Sequence, residues 1–201
     1  MKIHQIIFSP TGGTQRVSEI LCQGIGKERI VTDLCVKAAD IQLPNIHEED
    51  LAVIAMPVFA GRVPALAVER LRTVNPHGPK CVVTAVVGNR AYDDALLEIQ
   101  DVAREMGFRV IAAVSAVAEH SIIRKYGQGR PDADDEQTLR QFGADILSKA
   151  EGSDCTMPQV PGNRPYKKGG KVPHPKGTSG CNRCGACAKP CPADATPLSD
   201  P

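Results

Sequence analysis

Four of the eight cysteines fall within eleven residues: Cys181, Cys184, Cys187 and Cys191, the last followed directly by Pro192. Thiolates are soft, charged ligands that suit iron–sulfur centres or zinc. Gaps of two residues let one short loop wrap three of them around a single centre, and Pro192 stiffens its exit. Structural zinc sites more often pair two C-x2-C arms or recruit His, so an iron–sulfur centre is the expectation and a zinc knuckle its alternative. A secreted disulfide scaffold is argued against by a start that runs straight into a strand-like segment, with no signal-peptide pattern. Cys22, Cys35 and Cys81 fall on predicted helix or strand, where Cys acts as a small hydrophobe. Cys155 has no assigned role.

A second site is written into Ser9-Pro10-Thr11-Gly12-Gly13-Thr14. The run follows an apolar strand and opens a helix, so its amide N–H groups converge on a helix N-terminus, which favours an anion. Ser9, Thr11 and Thr14 add hydroxyl donors, while Gly12 and Gly13 permit close approach and unusual dihedrals. Neither the GxxxxGK[ST] nor the GxGxxG spacing is present. The expectation is a terminal phosphate held by neutral donors; a plain Gly-rich turn with a Thr cap is the alternative. Two further loops carry aromatics, in a chain with only three Tyr, four Phe and no Trp. One holds Phe59, Ala60 and Gly61 between Pro57 and Pro64; the other holds Gly88, Asn89 and Tyr92. Each aromatic taken alone has a structural explanation, Phe59 capping the core and Tyr92 packing on its own helix. Beside a phosphate loop, the pair suits the two sides of a planar ring. His120, after the fifth strand, faces the same end of the sheet; an ordinary hydrogen-bonded loop residue is the expectation, and a contact with the bound ligand or its partner the alternative.

These loops need a frame. Apolar runs at residues 3–8, 29–34, 51–56, 80–88 and 109–117 read as strands, and residues 14–24, 65–74, 93–106 and 134–149 as helices. Pro64 suits entry into the second helix, and Leu96, Leu97, Ile99 and Val102 line one side of the third. Near-continuous apolar strands alternating with helices imply a parallel sheet covered on both faces. Five strands fit an open, doubly wound α/β sheet better than an eight-fold barrel. Ligands of such sheets bind beyond the carboxyl ends of the strands, where all three loops lie.

Composition then breaks. Residues 152–201 hold nine of the 16 prolines and seven of the 18 glycines, and no acid lies between Asp154 and Asp194. The expected organisation is a domain at 1–151, a linker at 152–178 and a cysteine segment at 179–201. The chain as a whole is balanced, 24 Lys and Arg against 23 Asp and Glu. No global field therefore points to nucleic acid, and no apolar run approaches a bilayer span. A cytoplasmic protein is expected.

The Ser9-x-Thr11-Gly12-x-Thr14 run, with the loops at 57–64 and 88–94, resembles the flavodoxin family across residues 1–151. The resemblance implies FMN as cofactor, its phosphate held by Ser9, Thr11, Gly12, Gly13 and Thr14. Phe59, Ala60 and Gly61 would line one side of the isoalloxazine, and Gly88, Asn89 and Tyr92 the other. The chain departs from many flavodoxins in having no Trp and few acids near these loops, so potential and partner choice do not carry over. The cysteine run, C-x2-C-x2-C-x3-C-P, resembles the bacterial ferredoxin motif for a [4Fe–4S] cluster. In two-cluster ferredoxins the fourth Cys serves the other cluster, so the segment is expected to be a truncated ferredoxin; a single self-sufficient site is the alternative. Together the parts resemble flavodoxin–ferredoxin fusion proteins. That implies electron transfer between FMN and a [4Fe–4S] cluster with redox partner proteins, and no dedicated catalytic residue. The rivals are an FMN-dependent reductase of a small quinone or metabolite, with residues 121–131 as its lid, and a phosphate-binding module with a zinc knuckle.

Overall fold

The computed structural model describes residues 1–168 and 177–196. Five parallel strands, β1 (Ile3–Ile7), β2 (Arg29–Asp33), β3 (Leu51–Pro57), β4 (Lys80–Val87) and β5 (Arg109–Val117), alternate with four helices. The helices are α1 (Gly13–Ile25), α2 (Ala65–Leu71), α3 (Ala95–Glu105) and α4 (Ala133–Glu151). The sheet order is β2-β1-β3-β4-β5, so the winding reverses between β1 and β3. That reversal opens a crevice at the carboxyl ends of these two strands. The expected strands and helices are all present, with ends shifted by up to three residues.

Alternation along each buried strand feeds two half-cores. Ile6, Ile54, Met56, Val83 and Ala85 face Ala67, Leu71, Leu96 and Ile99 of α2 and α3. Ile3, Leu51, Val53, Val82 and Val86 face Val17, Leu21, Leu139 and Ile146 of α1 and α4. All seven residues of β3 are buried, as a central strand covered on both faces requires. In β5 an irregularity opposite Cys81 and Val82 puts one extra residue, Ile111, into the strand; Val110 then faces one half-core while Ile111 and Val114 face the other.

α1 and α4 cross at two glycines. A Cβ on Gly143 would lie 2.4 Å from the Leu21 carbonyl oxygen, and one on Gly24 would lie 2.2 Å from that of Arg140. Only Gly lets these backbones meet so closely. α4 is started by a capping box: the Asp132 carboxylate accepts from the Asp135 N–H, and the Asp135 carboxylate accepts from the Asp132 N–H. Among the described residues no helix is long and apolar enough to cross a membrane.

Residues 156–168, within the stretch read as a linker, do not leave the domain. They run back along α3. Gln100 donates to the Pro158 carbonyl at 2.8 Å, Val160 packs on the half-core under α2 and α3, and Gly162 lies against Leu97. Arg164 makes a two-pronged ion pair with Asp101, and the Tyr166 hydroxyl donates to the same carboxylate. The Arg62 guanidinium lies 4.8 Å above the Tyr166 ring.

Candidate cofactor site

The first loop leaves β1 at the winding reversal. Gly12 caps α1 with φ 85°, in the left-handed region, and nothing lies within 4 Å of where its Cβ would be. The Ser9 Oγ accepts from the Gln15 N–H at 2.9 Å, and the Ser9 carbonyl accepts from the Gly12 N–H at 3.3 Å. Among the described residues the amides of Thr11, Gly13 and Thr14 donate to no protein acceptor, so three N–H groups stand at a helix N-terminus. Thr14 is buried, while Ser9 and Gly13 are half-buried and Thr11 is exposed.

Opposite these amides lies the loop after β5. Thr11, Gly12 and Gly13 share a cleft of about 320 Å³ with Arg16, Arg124 and Arg130. Each arginine also has an acid: Arg16 pairs with Glu136 at 3.2 Å, Arg124 with Glu119 at 3.8 Å, and Arg130 with Asp135. The Arg130 guanidinium holds the Asp135 carboxyl below the usual carboxylate range. The sequence reading expected neutral donors alone and missed these cations. Arg16 was discoverable, since it sits two residues beyond Thr14 in the first turn of α1. Arg124 and Arg130 become relevant only through the return of the loop after β5, which no local pattern displays.

His120 is held within that loop. Its Nδ1 accepts from the N–H groups of Ile122 and Ile123, both at 3.1 Å, and its ring meets Tyr126 edge to face. It also covers Gly88, where a Cβ would lie 2.7 Å from the imidazole Cδ2.

The second and third loops are tied to each other. Phe59 and Arg62 exchange backbone hydrogen bonds of 2.9 and 3.1 Å around Ala60 (φ 53°) and Gly61 (φ 84°). Positive φ at both central residues is the signature of a type I′ turn. It presents Phe59 outward, 49% exposed. The Gly61 carbonyl accepts from the Asp94 N–H at 3.1 Å, and a Cβ on Gly61 would strike the Asp93 carboxylate. Arg62 grips Glu98 with two hydrogen bonds of 2.7 and 2.8 Å. The returning chain closes the arrangement: the Asp94 carboxylate accepts from the N–H of Asn163 at 2.8 Å and of Lys167 at 2.6 Å. The Lys167 ammonium pairs with Asp93 at 3.1 Å, and Arg62 donates to the Lys167 carbonyl at 2.7 Å. These bonds hold the Asp94 carboxyl below its usual range, the Lys167 N–H foremost.

The structure thus gathers Thr11, Gly12 and Gly13 in one cleft, sets Gly61 against Asp93, and sets Gly88 against His120. Tyr92 is half-buried. It packs on the core and lines a separate groove of about 280 Å³ with Arg90, Ser115, Val117 and Phe142, on the β5 side. Asn89 takes a left-handed turn conformation, φ 61°.

The cysteine segment is described from residue 177 to 196. Cys181, Cys184 and Cys187 are exposed and Cys191 is partly covered. Among the described residues no three His, Cys, Asp or Glu side chains converge in a metal-holding group. A short winding is nonetheless present: the Gly185 carbonyl accepts from Ala188 and Lys189 at 3.1 and 3.0 Å, and Cys191 Sγ from the Ala195 N–H at 3.4 Å. Of the other thiols, Cys22 and Cys81 are buried as expected, and burial pushes the Cys22 thiol up to about 12. Cys35 lies just past β2 rather than on it, and its Sγ accepts from the Ser9 N–H at 2.9 Å. Burial pushes its thiol up to about 11.

No protein-family model matches the chain, and no curated protein matches it. Solved structures do resemble it. An archaeal flavodoxin superposes with a TM-score of 0.54 at 21% identity, over 76% of this chain and 100% of its own. A flavodoxin from Streptococcus pneumoniae gives 0.53 at 18%, over 74% and 99%. A flavodiiron core from Synechocystis gives 0.52 at 12%, over 75% of this chain but 36% of its own. The body of the chain therefore has a flavodoxin-like α/β fold.

Proposed function

We propose that this chain is an electron-transfer flavoprotein that passes electrons between FMN, bound by the domain at residues 1–151, and a [4Fe–4S] cluster on Cys181, Cys184, Cys187 and Cys191. The observation that carries the flavin half is the open loop at the winding reversal, where three unengaged amides and the left-handed Gly12 face Arg16, Arg124 and Arg130. A phosphate dianion fits this donor set, since amide dipoles at a helix end and nearby cations both favour it. Thr11, Gly12, Gly13 and Thr14 would hold the phosphate, and the Ser9 hydroxyl remains free to donate. The exposed Phe59, on the turn that Ala60 and Gly61 form, would cover one face of the ring. Gly88, Asn89 and the half-buried Tyr92 would bound the other. When bound, FMN would supply the redox chemistry; the chain's part is to bind it, orient it and exclude water around it.

The cluster half rests on the cysteine spacing alone. Residues 168–178 would join the two parts, since the chain up to Tyr166 is fastened to α3. Redox proteins remain the proposed partners and the cytoplasm the proposed location.

A visible spectrum with iron and sulfide analysis of anaerobically purified protein tests both halves. Flavin bands together with iron and sulfide are the expected result; four of each per chain, lost in Cys191→Ala, mark one self-sufficient site, whereas a weaker signal that this substitution leaves unchanged means that Cys191 is not a ligand of this cluster. Colourless protein that takes up neither FMN nor iron overturns the proposal. Zinc in place of iron would turn the cysteine segment into a structural knuckle.

A further inference from the structure

Arg70 occupies a core position of α2, 6% exposed. Its Nη1 donates to the carbonyls of Leu34 and Val36 at 2.6 and 2.7 Å, and its Nη2 donates to the carbonyl of Pro192 at 2.5 Å. Its Nε is buried with no partner, and among the described residues no carboxylate lies within 4 Å of the guanidinium. An arginine sunk this deeply normally meets an acid, because burying the charge otherwise costs several kcal/mol on the order of a lost ion pair. Here three main-chain carbonyls take that place, and one of them belongs to the cysteine segment. Among the described residues Nη2 has no other protein acceptor. The segment thus supplies the acceptor that completes this buried guanidinium's hydrogen bonding at Nη2.

The place where it docks matters. Leu34 and Val36 flank Cys35, whose Sγ accepts from the N–H of Ser9, the first residue of the phosphate loop. Pro192 follows Cys191. A second point of attachment is exposed: the Lys37 ammonium lies 3.6 Å from the Asp194 carboxylate. The cysteine run thus meets the domain beside the loop proposed to hold phosphate, at the same end of the sheet.

We infer that Arg70, with the carbonyls of Leu34 and Val36, is an internal docking site for the cysteine segment, and that Arg70 is the positioning residue that holds this segment beside the β1–α1 loop. The use of this docking for electron transfer rests on the proposed function, but the docking itself needs neither cofactor. It replaces a tether of variable length with one contact geometry, so that the separation of the two candidate centres is set by an arginine rather than by chain statistics.

The test uses the full chain and a water-soluble carbodiimide, which condenses an amine with a carboxylate to an amide, the water being taken up by the reagent as it becomes a urea. Peptide mass spectrometry of the wild type is expected to find Lys37 joined to Asp194, and Asp194→Asn to abolish the product. Arg70→Met, similar in length but without donors, is expected to lower the yield about tenfold, the change that one hydrogen bond to a charged group supports. Should Arg70→Met fail to fold by circular dichroism, Arg70→Lys replaces it; a single ammonium cannot span the three carbonyls, and its yield should also fall. No product in the wild type, or an undiminished yield in the folded variant, overturns the inference. FMN titration of the same proteins separates this from the function. FMN bound without the cross-link removes the docking alone. The cross-link without FMN supports the docking and removes its redox purpose.

Discussion

In β3 every residue from Leu51 to Pro57 is buried, whereas in residues 177–196 Gly185 is the only fully buried residue. The two regions keep their places by different means. The sheet is located by apolar area removed from water, a non-directional force that many side chains share. The cysteine segment is located by single polar hooks, Arg70 on the Pro192 carbonyl and Lys37 on Asp194. Area-based packing tolerates the loss of any one exposed contact. A hook does not, and a segment with so little core gains structure from whatever its thiolates bind. The chain between them, residues 156–168, is intermediate: Val160 is packed, but Asp94 and Asp101 do most of the fastening.

The largest effect that separates the regions should come from Ile54→Ala. Ile54 is fully buried in the central strand, and truncation leaves a cavity costing about 2–5 kcal/mol. Cys187→Ala, at an exposed thiol, should stay within about 0.5 kcal/mol in metal-free protein. Urea unfolding of both variants checks the contrast; equal losses would mean that the segment shares the sheet's core.

Next in size is the phosphate loop. At Gly12, φ 85° suits glycine and strains any branched residue, though space for a side chain exists. Gly12→Val should therefore weaken FMN binding about tenfold or more through backbone geometry rather than a clash. Thr11→Ala should cost about 1.5 kcal/mol or more if its hydroxyl meets the phosphate. Fluorescence titration with FMN reads both, and unchanged affinity in the pair would remove this loop from the site. Gly61→Val would displace the Asp93 carboxylate before its side chain met any flavin, so it reports on that contact rather than on the ring site.

What could be read from sequence follows the same division. The five apolar runs located all five strands, and the amphipathic stretches located the helices, since burial and periodicity are local properties of the chain. The Ser9–Thr14 turn was legible because its glycines and hydroxyls announce a backbone need. Pairings that depend on tertiary return were not. Gly24 and Gly143 are ordinary residues until α1 meets α4, Asp94 looks like a helix cap until residues 163–167 come back to it, and Arg70 looks misplaced until Pro192 arrives. Tyr92 follows Asn89 and precedes Asp93, both at positive φ, and its packing on the half-core under α2 and α3 depends on a tertiary setting that no local pattern displays.

Acid should loosen the intermediate region before the sheet. The Arg164 guanidinium, aided by the Tyr166 hydroxyl, holds the Asp101 carboxyl below its usual range although burial opposes this; Lys167 and Asn163 do the same at Asp94. A carboxyl depressed in the folded state contributes stability above its unfolded value, about 3.9, and loses it as pH falls through the folded value. The fastening of residues 163–167 should thus be complete above about pH 5 and weaken below about pH 4. Hydrogen exchange at the Asn163 and Lys167 amides, compared with β3 amides across this range, checks the order of release. Simultaneous loss in both would show that no separate unit opens.

The smallest effect should be that of Arg164→Ala. Arg164 is 58% exposed in its side chain, and its ion pair with Asp101 is two-pronged, the best geometry a surface pair can have. The Asp101 side chain is only 13% exposed, but Arg164 stands largely in water, which solvates its separated charge and keeps the pair near the ~0–1 kcal/mol of surface pairs. Asp101 keeps the Tyr166 hydroxyl as a donor after the substitution, so its carboxylate is not stranded. Global stability should fall by about 1 kcal/mol or less, while exchange at Asn163 and Lys167 rises and the acid release of this stretch moves to higher pH. A loss as large as that of Ile54→Ala would mean that the returning chain is part of the domain's core and that the contrast between packed and hooked regions is wrong at this point.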